Sequence, residues 1–140
     1  MSIGRAWLDA LKAKDFQKVF GQTRLPFTYR DTSPNKLCNG TAADVKQLTT
    51  MMSCLEKHVS LLFEELGQAE KLRLRVVTLR EVPPSLLKVI ETPNAGHRMV
   101  STFINGDGIT FELLLLIAPT DGNGAAGVKA LFVSSETESG

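Results

Sequence analysis

This chain has no surplus of charge, no long apolar run and no clustered metal ligands, and each absence removes a class of function. Its 16 basic and 15 acidic side chains leave a net charge of +1, so no global field steers it onto nucleic acid or an anionic bilayer. Lys71, Arg73, Arg75 and Arg80 interleave with Leu72, Leu74 and Val76, which is the pattern of a strand with one wet face. The longest uninterrupted apolar run, Leu113 to Ala118, is far shorter than the ~20 residues of a spanning helix. No nucleic-acid or membrane partner is therefore expected. His58, His97, Cys38 and Cys54 lack metal-ligand spacing, so neither a metal nor a cofactor is expected. Ser33, Ser53 and Ser101 carry no nucleophile signature. Gly106, Gly108, Gly122 and Gly124 precede no helix, so they read as hairpin turns and not as a phosphate cradle. No basic stretch followed by an apolar core opens the chain. A cytoplasmic location is expected, while two cysteines leave the redox compartment open.

What remains is a chain of 140 residues, enough for one core without staples. An apolar stripe at Ile3, Ala6, Trp7, Ala10, Leu11, Val19 and Phe20 predicts a helix over about 3–20. It breaks at Lys14-Asp15, where Asp15 can cap a second turn. Leu25 to Thr32 reads as a strand. Val45, Leu48, Met52, Leu55, Val59, Leu62 and Leu66 then alternate steps of three and four, predicting one long helix from about Thr41 to Leu66. From Leu72 the period changes to two. Leu72–Leu79 is a strand, Ser85–Ile90 a short helix or turn, and Thr92–Gly96 a loop. Met99–Ile104 and Ile109–Ala118 form a hairpin, Asp121–Gly124 is a turn, and Val128–Ser134 closes the sheet. Helices first and mostly antiparallel strands after them predict an α+β domain over 1–134, with a polar tail at 135–140.

Two stretches carry a family resemblance. Trp7-Leu8-Asp9-Ala10-Leu11-Lys12-Ala13-Lys14-Asp15 leads into a strand that ends at Asp31, and Gly40-Thr41-Ala42-Ala43 follows. This order resembles the start of ketosteroid isomerase and of the wider nuclear transport factor 2-like (SnoaL-like) superfamily. The resemblance implies a cystatin-like cone with its N-terminal helices packed on a curved, mostly antiparallel sheet. It also implies that Asp31 could act as a general base next to a carbonyl, since a carboxylate in an apolar cup has a raised pKa. The same Asp31 fits a plainer role, capping the turn Asp31-Thr32-Ser33-Pro34 through side-chain-to-backbone bonds.

The family's other groups are not matched. An enolate needs hydrogen-bond donors, a tyrosine and a protonated acid in ketosteroid isomerase. Trp7 occupies the tyrosine's position on the first helix, and Leu113 to Ile117 has no carboxyl group. The expected function is accordingly a small-ligand-binding or scaffold domain without catalysis. Its apolar cup would be lined by Trp7, Leu11, Phe27, Tyr29, Met52, Phe103 and Phe111, with Asp31 at a rim shared with Trp7. The alternative is a lyase or isomerase of a small carbonyl compound, with Asp31 as base and His97 or Tyr29 assisting. For a helix starting at Thr41, Cys54 lies ~20 Å along it and Cys38 can retrace at most ~10 Å. That favours two free thiols unless the helix starts late or bends. Finally, Leu114, Leu116 and Ala118 break the polar alternation of Thr110 and Glu112, and Val77 and Leu79 extend the same face. A homodimer through the outer face of the sheet would cover them, as would Ser85–Ile90 within one subunit.

Overall fold

A computed structural model describes residues 2–31, 38–69, 72–78, 80, 98–106, 108–118 and 127–137. Residues three and four apart set one face of α1 (Ser2–Lys12) against the core. Trp7, Leu8, Ala10 and Leu11 are buried, and Leu8 takes the place expected of Ala6, which is exposed. At Gly4 an added Cβ would come within 3.1 Å of Ile117 Cδ1, so the bare backbone lets α1 lie close to the sheet. The break falls where the sequence predicts it. Lys14 turns the chain with a φ of 57°, and the Asp15 carboxylate caps α2 (Phe16–Gly21) by accepting from the Lys18 backbone N–H.

β1 (Thr23–Asp31) follows, and the next segment departs from expectation. Thr41 and Ala42 do not open a helix. They lie in β2 (Gly40–Ala42), which pairs with β1 through Phe27↔Ala42, Thr28↔Thr41 and Tyr29↔Gly40. The helix begins at Val45 because Asp44, with extended backbone, accepts from the Gln47 N–H at 2.8 Å. Gln47 Oε1 accepts in turn from the Ala43 N–H at 2.7 Å, a reciprocal cap. The expected long helix is also two: α3 (Val45–His58) and α4 (Ser60–Gln68), separated at Val59. Dimensions explain the division. One straight helix over 41–66 would run ~39 Å, whereas five strand spacings span only ~24 Å. The break lets α3 pack over β2 and α4 over β4 and α1. Lys12 Nζ donates to the Ala69 carbonyl and Arg5 Nη1 to the Leu72 carbonyl at 3.0 Å, tying α1 to the chain leaving α4; cations at a helix C-terminus also complement its dipole.

The remaining strands are β3 (Arg75–Val77), β4 (Arg98–Asn105), β5 (Ile109–Ala118) and β6 (Gly127–Thr137). β3 realises only part of the strand expected over Leu72–Leu79. Ser85–Ile90, Thr92–Gly96, His97 and the Asp121–Gly124 turn lie outside the described residues. The sheet order is β2-β1-β6-β5-β4-β3, parallel at β1–β6 and antiparallel elsewhere. The β4–β5 hairpin pairs Asn105 with Thr110, and Gly108 supplies a φ of 77° in its turn. Ser135 pairs with Phe111 and Thr137 with Ile109, so the stretch expected to be tail from Ser135 begins as the end of β6.

Each face of the sheet buries a cluster of apolar side chains. Phe111, Leu113, Leu115, Ile117, Leu131 and Val133 join the helices in the main core, as the alternation of β5 predicts. On the other face Val77, Met99, Leu114, Leu116, Ala130 and Phe132 form a second cluster, each at most 6% exposed within the single chain. Substitution should reveal both cores. Leu115→Ala and Phe132→Ala, on opposite faces, should each cost about 2–5 kcal/mol. Val76→Ala, at a side chain 51% exposed, should stay within about 0.5 kcal/mol. Urea unfolding of the three variants measures this, and a near-neutral Phe132→Ala would refute the second core.

Candidate functional site

The inner face of β1 carries Phe27, Tyr29 and Asp31 in alternation, the first two fully buried and the last half-buried at the strand's end. Tyr29 and Asp31 are two residues apart and so point the same way, and the Tyr29 hydroxyl donates to Asp31 Oδ2 at 2.9 Å. Burial pushes the Tyr29 phenol far above its usual range, and the Asp31 charge and this hydrogen bond push it further. Tyr29 thus keeps its proton near neutral pH and donates a hydrogen bond to Asp31.

Asn39 holds the same place from the β2 side. Its Oδ1 accepts from the Asp31 backbone N–H at 3.0 Å and its Nδ2 donates to the Asp31 carbonyl at 3.4 Å. A side-chain amide here extends the β1–β2 ladder one step beyond the Tyr29↔Gly40 pair. Next to it, Cys38 is bonded to Cys54 of α3, with Cα atoms 5.7 Å apart. This overturns the reading of two free thiols, and the late helix start is the reason. From Val45, Cys54 is only ~14 Å along α3, and the seven residues back to Cys38 can retrace ~23 Å.

The expected site residues do not converge as a single lining. Trp7, Leu11, Phe27, Tyr29, Met52 and Phe111 belong to one packed core, none more than 6% exposed. Phe103 does not join them. It pairs with Glu112 on the outer face and is 54% exposed. Trp7 and Asp31 share no rim either. The indole N–H donates to Thr23 Oγ1 at 2.9 Å, and Thr23 Oγ1 donates to the Val19 carbonyl at 2.6 Å. Thr23 and Asp31 are the two ends of β1, on the order of 25 Å apart. Only the indole ring reaches inward, to Phe27 with centroids 5.9 Å apart. His97 lies outside the described residues, and His58 is exposed at the end of α3.

Two groups were not anticipated. Asn39 gives little signal because its strand partner is made by a side chain, although its place beside Cys38 and Gly40 marks a constrained turn. Thr102 lies on the row Asp31↔Val133↔Leu113↔Thr102, which crosses the inner face. It is 2% exposed, and its Oγ1 has no hydrogen-bond partner among the described residues. The described residues contain no cluster of His, Cys, Asp and Glu able to hold a metal ion, and no helix among them is long and apolar enough to cross a membrane.

The arrangement of helices on this six-stranded sheet is shared with solved structures. A nuclear transport factor 2-like (NTF2-like) protein of unknown function from Methylobacillus flagellatus KT matches with a TM-score of 0.55 at 10% identity, over 97% of this chain and 88% of that one. A cystatin-like fold protein from Burkholderia xenovorans LB400 matches with a TM-score of 0.55 at 12% identity, over 99% and 89%. No protein-family profile and no curated protein matches the sequence. The chain therefore has the nuclear transport factor 2-like, cystatin-like α+β fold.

Tyr29 is the single tyrosine of the chain, so phenolate absorbance reports on it alone. Little phenolate should appear in the folded protein near pH 10, where an exposed tyrosine is half ionised. The linkage has a definite sign. Below about pH 10 both folded and unfolded states keep the proton; above it only the unfolded state releases it, so this group's stabilisation is lost as pH rises, at up to about 1.4 kcal/mol per pH unit. Urea midpoints of the wild type and Tyr29→Phe between about pH 9 and 11 check this. The variant should lack that part of the slope.

Proposed function

We propose that this chain is a non-catalytic domain, a scaffold whose apolar cup is filled by its own side chains. The observation that carries the reading is the use made of its two best oxyanion donors. Trp7 N–H is committed to Thr23 and Tyr29 O–H to Asp31, at places too far apart to serve one reacting atom. An enolate formed beside Asp31 would meet no preorganised pair of donors from these residues. The packing of Trp7, Leu11, Phe27, Tyr29, Met52 and Phe111 supports the same reading, since a ligand among them would have to displace buried side chains. The test is proton exchange: in deuterated water, small ketones and aldehydes should exchange their α-hydrogens no faster with the protein than in buffer. Exchange accelerated by the wild type and lost in Asp31→Asn would instead establish the lyase or isomerase reading, with Asp31 as base and Tyr29 assisting.

One observation favours a bound small molecule. Thr102 and Asp31 stand at the two ends of a row floored by Leu113 and Val133, about 14 Å apart, and the Thr102 hydroxyl is buried with no partner among the described residues. An elongated apolar molecule with a polar atom at the Thr102 end would satisfy it. A homodimer through the outer face would have to form around exposed Phe103, because Leu114 and Leu116 are already covered within one chain. In the cytoplasm expected from the sequence, a cystine such as Cys38–Cys54 would be transient or redox-sensing rather than permanent. Native mass spectrometry decides the first two together. The scaffold reading predicts the bare polypeptide, a co-purifying adduct supports the ligand, and a species of 15.3 kDa alone at micromolar concentration rules out the dimer.

A further inference from the structure

β2 is three residues long and, among the described residues, sits at the edge of the sheet with β1 as its strand neighbour. Three ladder pairs and the Thr28–Thr41 hydroxyl contact at 3.0 Å hold it there. So short a strand is marginal by itself, and the segment that enters it holds the Asn39 clamp on Asp31. That segment has one covalent tie, from Cys38 to Cys54 on α3, a helix fixed independently by Leu48, Met52 and Leu55 in the core. Cys38 is buried and Cys54 partly so. We infer that the Cys38–Cys54 bond is a redox-controlled clamp: while it is closed, Asn39 fixes the backbone at Asp31 and thereby the aim of the Asp31 carboxylate at Tyr29, and its reduction releases that end of β1.

The chain of contacts is short. Cys38 and Asn39 are adjacent, so whatever anchors one limits the other. Asn39 contacts Asp31 through both halves of its amide, and Asp31 accepts from Tyr29. The opening step needs a dithiol reductant. One of its thiolates attacks a cystine sulfur, giving a mixed disulfide and releasing the other cysteine as a thiolate; the second reductant thiol then displaces the remaining cysteine. The cystine takes up two electrons and, once the thiolates are protonated, two protons, while the reductant becomes a cyclic disulfide. None of this depends on whether the domain is catalytic, because the clamp acts on the hydrogen bonds themselves.

The Asp31 backbone N–H donates to Asn39, so its exchange with deuterated water reads the clamp directly. Exchange followed by NMR should be at least about tenfold faster at Asp31 after treatment with dithiothreitol, with the central Leu115 and Leu131 amides unchanged. Oxidised Asn39→Ala should show the same acceleration, and reoxidation of the wild type should reverse it. Equal protection at Asp31 in the two redox states would overturn the inference. So would uniform acceleration across the sheet, which would make the bond a general stabiliser. Reversible reduction of the wild type keeps the test open even if a Cys38→Ser, Cys54→Ser variant fails to fold.

Discussion

β5 carries apolar side chains on both faces, and the rest of the molecule is arranged to keep both from water. Its inner residues Leu113, Leu115 and Ile117 require the helices; its outer residues Leu114 and Leu116 require a second layer of packing. A sheet with one wet face would have alternated polar residues along this strand. Instead the polar alternation survives only near the hairpin, at Thr110 and Glu112, where Ser101 Oγ donates to Glu112 Oε2 at 3.2 Å. Burying one β5 leucine on each face is worth roughly 2–3 kcal/mol apiece. Stability on this scale comes from the strand's position between β4 and β6, not from any one contact.

That arrangement pushes the polar chemistry to the ends of β1. Where the helices cover the sheet, each donor must find a partner inside the protein. Trp7 finds Thr23 at one end, and Tyr29 finds Asp31 towards the other. Both solutions use side chains as hydrogen-bond acceptors that a cup built for chemistry would aim at a substrate. Thr102 differs: its hydroxyl is buried with no partner among the described residues, which costs on the order of 1–3 kcal/mol, and the fold holds it on the same row as Asp31.

The sequence was legible where its period was sustained. The steps of three and four from Leu48 to Leu66 and the alternation through the β4–β5 hairpin each cover several turns or pleats, so packing agrees with pattern there. The α+β class and the inner face of β5 followed from these. Val45, in the first turn of α3, departs from the stripe and is 55% exposed. The errors sit where the signal is short or the parity ambiguous. Gly40–Ala42 contains too few residues to show alternation, and its alanine favours helix on propensity alone; pairing with β1 prevails. The break at Val59 is invisible in the stripe because both helices bury their residues against the same core. Phe103 was legible by parity: pairing Asn105 with Thr110 across the turn places Phe103 opposite Glu112, on the wetter side. Aromatic character alone suggested the cup.

The mistaken helix start and the missed cystine are one error. A helix beginning at Thr41 carries Cys54 beyond the reach of Cys38. A strand at Gly40–Ala42 turns those residues back along β1 and starts α3 late enough for the bond to close. Once β2 is placed, the bond is permitted and the Asn39 amide falls opposite Asp31. β2 thus decides the covalent tie, the origin of α3 and the surroundings of Asp31, although it has only three residues with which to hold its own place. An edge strand this short contributes little ladder energy, so its position depends on its neighbours: the Asp44–Gln47 cap on one side and the cystine on the other. The cap is made of hydrogen bonds that re-form at once when broken, while the cystine opens only when a thiolate attacks one of its sulfurs. Of the two, the cystine is the tie that can keep β2 in one state or the other for long.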